Sequence, residues 1–181
     1  MSVSDPRYET FSGFPMPSDP ESLIDRSRRP IVRTQRTEPR FPFPVPNGWY
    51  IVGESRDLLP GETKAFHVFD VDVVLFRGED GAPRLVEAYC PHLGAHLGVG
   101  GQVEGGCIRC PFHGWLYDGD DGRCVEMPYG NTDRIPSQAR VRSFPCIERN
   151  QMIWAWHHLR DGEPFYEVPE IAEFSDSDWL P

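Results

Sequence analysis

The chain is short of lysine, of positive charge and of long apolar runs. Lys64 is its single lysine, and 18 Lys and Arg stand against 28 Asp and Glu, for a formal net charge of −10 at pH 7. A surface for nucleic acid or anionic lipid needs clustered basic residues, and here the arginines are scattered, so neither partner is expected. No uninterrupted apolar run approaches the ~20 residues of a membrane span. The N-terminal "MSVSDPRYETFSGF" lacks the charged and then apolar segments of a secretory signal. A soluble, cytoplasmic protein is the expectation. Cysteine is scarce and odd in number. Of five, Cys90 and Cys110 stand near histidines, and Cys107, Cys124 and Cys146 remain. In a reducing compartment these three read as separate, small buried thiols rather than as a disulfide scaffold.

What is plentiful is turn formers. Nineteen prolines and seventeen glycines point to strands and turns rather than a helical bundle. Residues 1–40 are polar and irregular and read as an N-terminal arm, broken by "SDPESLIDRSR", where Ser18 and Glu21 have capping-box spacing ahead of a short helix. "FPFPVPNGW" at 41–49 alternates proline with apolar residues, which keeps the backbone extended until Asn47-Gly48 turns it. The folded domain is expected to start at 41 and run to 160. Strand signals then repeat as "WYIVGE", "AFHVF", "VDVVLFR", "RLVEAYC", "CIRC", "FPCIE" and "MIWAW". Seven short runs at this spacing predict an all-β, antiparallel sandwich or barrel. After Arg160 the chain carries seven acids and no base, so 161–181 is expected to be an acidic linker or tail.

Two motifs carry the chemistry. "CPHLGAH" begins at Cys90 and "CPFHGW" at Cys110, with seventeen residues between His92 and Cys110. Both fall on connections between strands, where a rigid scaffold presents loops. Thiolate and imidazole are the ligands of zinc and of iron–sulfur sites, and each pair is short enough to place both ligands on one turn. Structural zinc sites usually pair Cys with Cys and His with His. Mixed pairs suit a dinuclear cluster, in which each loop gives a Cys to one iron and a His to the other. A zinc-stabilised interaction domain is the remaining alternative on spacing. His96 follows His92 by four residues but would be surplus to four ligands, so it reads as a surface or hydrogen-bonding residue, and His67, His157 and His158 read as structural or solvated. Trp154 and Trp156 alternate at strand period and read as packing residues.

The loops and their flanks, "GQVEGGCIRCPFHGWLYDGDDGRCVEMPYG", "IPSQARVRSFPCIERNQMIWAWHH" and "PFYEVPEI", resemble the N-terminal half of Rieske non-haem iron oxygenases of the steroid and sterol type, the ketosteroid 9α-hydroxylase and cholesterol 7-desaturase group. The resemblance implies a Rieske-type fold with two cluster-binding loops and one 2Fe-2S cluster. Cys90 and Cys110 would hold one iron, His92 and His113 the other. Gly94 and Gly114 would admit close backbone approach, and Trp115 and Tyr117 would flank the ligands, with Tyr117 able to supply a hydrogen bond near a cysteine sulfur. With neutral histidines the oxidised core sums to zero charge, so it accepts an electron more readily than a four-cysteine centre, at roughly −150 to +300 mV against about −400 mV. Respiratory Rieske proteins carry an extra Cys in each loop and a Ser after the second His-Gly. Ala95, Phe112 and Trp115 stand at those places here, which predicts the low end of that range.

In the same family a reductase using NAD(P)H, or a ferredoxin, supplies electrons, and a mononuclear iron in a catalytic domain accepts them, typically across a trimer. That iron needs two histidines and a carboxylate from a further domain of about 200 residues, and no histidine follows His158. The expectation is the Rieske portion of an oxygenase component that hydroxylates or desaturates a steroid-like substrate with O2, lacking the catalytic domain and containing no catalytic residue of its own. A stand-alone ferredoxin-like carrier is the alternative.

Overall fold

The computed structural model describes residues 44–129 and 135–175. The arm at 1–40, with the helix expected near Ser18 and Glu21, lies outside them. The all-β expectation is borne out, with more strands than the seven runs: β1 (Gly48–Glu54), β2 (Thr63–Val68), β3 (Val71–Arg77), β4 (Pro83–Glu87), β5 (Gln102–Glu104), β6 (Cys107–Arg109), β7 (Leu116–Asp118), β8 (Cys124–Glu126), β9 (Ser143–Phe144), β10 (Cys146–Arg149) and β11 (Met152–His157). "FPCIE" divides into β9 and β10 at Pro145, whose missing N–H interrupts the ladder. The strands absent from the expected set are β5, β7 and β8. Each is three residues long, too short to display an alternation.

All pairings are antiparallel, in sheets ordered β1-β11-β10, β2-β3-β4-β9 and β5-β6-β7-β8. The second sheet is the middle of the domain, and β3 explains why. "VDVVLFR" is nearly all apolar because both of its faces are covered. Val73 and Leu75 point into one core with Leu58, Leu85, Phe144 and Ile153, and Val74 and Phe76 into the other with Val86, Leu97, Ile108 and Tyr117. The second core sits directly beneath Cys90 and Cys110, which belong to it.

The β2–β3 hairpin turns at Phe69 and Asp70, with φ of 55° and 61°. A bulky side chain in the left-handed region costs about 1 kcal/mol or more. Burial offsets the cost, since Phe69 packs on Tyr50, Phe144 and His157. The expected acidic tail, as far as residue 175, runs back along the first sheet. The indoles of Trp156 and Trp49 donate to the carbonyls of Gly162 and Tyr166 at 2.7 and 2.8 Å, and Asn150 and Gln151 donate to those of Pro169 and Phe174 at 2.9 Å each. Among the described residues no helix is long and apolar enough to cross a membrane.

Candidate metal centre

The two motifs fold into loops with one backbone pattern. In the first, the Cys90 N–H donates to Ala95 O and the Gly94 N–H to Cys90 O, both at 2.9 Å; in the second, the Cys110 N–H donates to Trp115 O at 2.8 Å and the Gly114 N–H to Cys110 O at 3.1 Å. Each loop closes over six residues, Cys90 to Ala95 and Cys110 to Trp115, with its glycine four residues after its cysteine. Gly94 and Gly114 have φ of 73° and 71°, a conformation open to glycine and strained for other residues. Within this frame the histidines sit one place apart, His92 two residues after its cysteine and His113 three. The second loop is the β6–β7 hairpin itself, and the first leaves β4 and returns toward β5.

The geometry brings all four candidate ligands to one end of the domain. Cys90 and Cys110 are both buried, at 3% exposure, while the half-buried His92 and His113 rings lie 4.9 Å apart. Burial raises the Cys90 thiol pKa, the nearby Cys110 thiol adds to the shift, and a hydrogen bond from Tyr117 opposes it. A buried thiol of this kind becomes a thiolate when a metal supplies the compensating charge, so metal binding and proton release are coupled. The Tyr117 hydroxyl lies 3.0 Å from Cys90 Sγ, as the sequence had suggested for a cysteine sulfur. Burial first, and then this bond, raises the phenol pKa and keeps it protonated.

Aromatic rings bracket the histidines. The Trp115 indole stacks on His92 with centroids 4.4 Å apart and planes 6° from parallel, and donates from Nε1 to the Tyr129 hydroxyl at 2.7 Å. Tyr129 presents an edge to His113, and the exposed Phe112 ring lies 4.0 Å from it. Tyr129 is not among the site residues that the sequence points to. Nor is Arg109, which donates from Nη1 to the Gly114 carbonyl at 2.7 Å. The other histidines stay apart from the four: His96 accepts the Gly98 N–H on Nδ1, His67 pairs with Asp72, and His158 accepts the N–H groups of Arg160 and Gly162. All five cysteines are free thiols.

The donor set fits a dinuclear cluster better than a single ion. Two buried thiols and two half-buried imidazoles on two loops are the ligand types that a dinuclear cluster of this kind takes.

Paired Cys/His loops on a small antiparallel scaffold define the class, an electron-carrying iron–sulfur domain. The family model described as the Rieske [2Fe-2S] domain matches residues 48–145, and the chain belongs to that family and binds its single 2Fe-2S cluster. It is 46% identical over 140 residues to cholesterol 7-desaturase of Caenorhabditis elegans, across 77% of this chain and 32% of the relative. It is 38% identical over 134 residues to a Rhodococcus rhodochrous protein named "Probable 3-ketosteroid-9-alpha-monooxygenase, oxygenase component", across 73% of this chain and 33% of the relative. The crystal structure of apo dicamba monooxygenase superposes with a TM-score of 0.63 at 32% identity, over 72% of this chain and 39% of that one. The chain thus spans about a third of the length of these curated relatives.

Proposed function

We propose that Cys90 and Cys110 supply thiolates to one iron of the cluster and that His92 and His113 supply imidazoles to the other. The observation that carries this is the matched closure of the two loops, which buries both sulfurs together and sets both imidazoles side by side. When bound, such a cluster supplies one-electron transfer at a potential raised by its two neutral ligands. The chain's own residues do the rest. The core beneath the loops keeps water from the sulfurs, Tyr117 donates to Cys90 Sγ, and Trp115 with Tyr129 fixes the faces of the imidazoles.

The domain serves as the electron-carrying portion of an oxygenase component. Its donor is a reductase using NAD(P)H or a ferredoxin, its acceptor a mononuclear iron in a catalytic domain, and its substrate class steroid-like. Supporting this are the 46% and 38% identities to a cholesterol desaturase and to a ketosteroid monooxygenase component. A cytoplasmic location, a homotrimer and the division into arm 1–40, Rieske domain 41–160 and acidic segment 161–181 belong to the same proposal.

The test is direct. The purified chain should contain two irons and two acid-labile sulfides, absorb in the visible, and give an anisotropic EPR signal on reduction. Cys90→Ser and His113→Ala should each abolish assembly and lower the thermal midpoint, because metal-binding energy is coupled to folding. A colourless protein with one zinc per chain would overturn it.

A further inference from the structure

The second loop has an arginine at its base, and the sheet register dictates what surrounds it. Arg109 closes β6 one residue before Cys110. The pairings Gln102↔Arg109, Arg109↔Leu116 and Leu116↔Glu126 set these residues in one row across the third sheet. Residues level with one another project to the same face, so Arg109 and Glu126 share a face across Leu116. Glu104, two residues along from Gln102, shares it too.

The three charges meet there. The Arg109 guanidinium donates from Nε and from Nη2 to the two oxygens of Glu104, the latter at 2.6 Å, and from Nη1 and Nη2 to those of Glu126 at 3.2 and 3.3 Å. A single partly exposed ion pair contributes little. Two carboxylates on one planar fork do something different, since they fix its orientation. The group so fixed has one further bond, the 2.7 Å donation to Gly114 O.

Gly114 is therefore held on both sides. Its N–H is tied inward to Cys110 O at 3.1 Å, and its carbonyl outward to Arg109. It follows His113 directly, and its φ of 71° leaves it no local preference for the conformation it holds beyond the freedom of glycine. Among the described residues no guanidinium meets the equivalent carbonyl of Gly94.

We propose that Arg109, clamped by Glu104 and Glu126, is the positioning residue of the second loop: it fixes the Gly114 carbonyl and thereby the direction in which His113 presents its imidazole. This rests on the ligand set proposed above. It also assigns the two glutamates a purpose, which is to orient the arginine rather than to meet a partner.

The test uses the full chain loaded with iron and sulfide, as wild type, Arg109→Lys and Arg109→Gln. Arg84→Lys serves as the comparison, because Arg84 is equally tied to two carboxylates, of Asp80 and Asp120, but bonds neither loop. Both Arg109 variants should fold and assemble the cluster, yet lose it to a chelator about 10- to 100-fold faster, the usual cost of removing a group that orients a metal ligand. They should also shift the g values of the reduced EPR signal and the iron–histidine bands in resonance Raman. Arg84→Lys should lower the thermal midpoint with those signatures intact. Wild-type spectra and loss rates in both Arg109 variants would overturn the proposal. If neither Arg109 variant folds, the doubly substituted Glu104→Gln, Glu126→Gln chain decides: shifted spectra support the clamp, and a wild-type spectrum sinks it. A wild-type chain without a cluster, or a cluster that survives His113→Ala, would overturn the ligand set itself.

Discussion

The two cluster loops share a backbone and differ in what stands behind it. Both close through the same pair of hydrogen bonds and both turn on a glycine near φ 70°. The first loop is supported from within, by the Tyr117 hydroxyl on Cys90 Sγ and by the Trp115 indole on His92, and is open around its glycine: a methyl group at Gly94 would meet nothing within 4 Å, and Leu93 at its tip is 63% exposed. The second is supported from outside, by Arg109 on the Gly114 carbonyl and by Pro128, whose Cγ would lie 3.0 Å from a methyl group at Gly114. One backbone solution is thus stabilised in two ways, at the sulfur in one loop and at the peptide in the other. On the proposed ligand set the domain holds two ligand pairs at fixed separation, and each loop is steadied by whichever neighbours its strands supply.

The largest effect expected from breaking this comparison is at the glycines. Gly94→Ala and Gly114→Ala both place an L side chain at positive φ, a cost of about 1–2 kcal/mol each. Only at Gly114 does the new methyl group also press on a rigid proline ring, which adds roughly 1–3 kcal/mol of overpacking. Gly114→Ala should therefore lower the unfolding midpoint clearly more than Gly94→Ala. Equal shifts in thermal unfolding of the two variants would show that the loops are supported alike.

An intermediate effect separates the sulfurs. Tyr117→Phe keeps the buried ring and removes the donor to Cys90, while among the described residues no hydroxyl stands at hydrogen-bond distance from Cys110. A hydrogen bond to a sulfur stabilises the more negative, reduced state. Its loss, worth about 1 kcal/mol, should lower the reduction potential by roughly 40 mV for one electron. Protein-film voltammetry of the variant measures this, and an unchanged potential would mean that the hydroxyl serves packing alone.

The unequal support explains what the sequence did and did not disclose. Cys-x-His and Cys-x-x-His are local, so the two candidate motifs were legible without any fold, and the run "VDVVLFR" marked β3 as a strand but not that both of its faces are covered. Tyr117 was legible only because it lies close to the second motif. Arg109 was not, since an arginine beside a loop reads as a solvated charge until register places two carboxylates on its face. The contacts of the segment after Arg160 are hidden from the sequence for a related reason. Its acids suggest solvent, but its backbone carbonyls, at Gly162, Tyr166, Pro169 and Phe174 among others, anchor it, and of their partners only Trp156 is near in the chain, while Asn150, Gln151 and above all Trp49 lie further back.

The smallest expected effect tests the supports by acid. Glu104 behind the second loop has its pKa lowered from 4.5, chiefly by its bonds to Arg109. Asp72, which accepts from Tyr89 beside the first loop, has its pKa lowered from 3.8 by His67 and then by Tyr89. A carboxylate whose folded pKa is depressed binds protons more weakly in the folded state. Its stabilisation is present above the unfolded pKa and is lost as pH falls through the folded one. Glu104→Gln should therefore flatten the fall in stability below about pH 4.5, and Asp72→Asn the fall below about pH 3.8. Both side chains are well exposed, so screening by water keeps each change small. Unfolding midpoints from pH 6 to pH 3, followed by far-UV circular dichroism, resolve the two. Glu104→Gln should also hasten cluster loss at neutral pH, because the clamp it weakens holds a ligand loop, whereas Asp72→Asn should not. Parallel behaviour of the two variants would remove the distinction between a loop held at its peptide and one held at its sulfur.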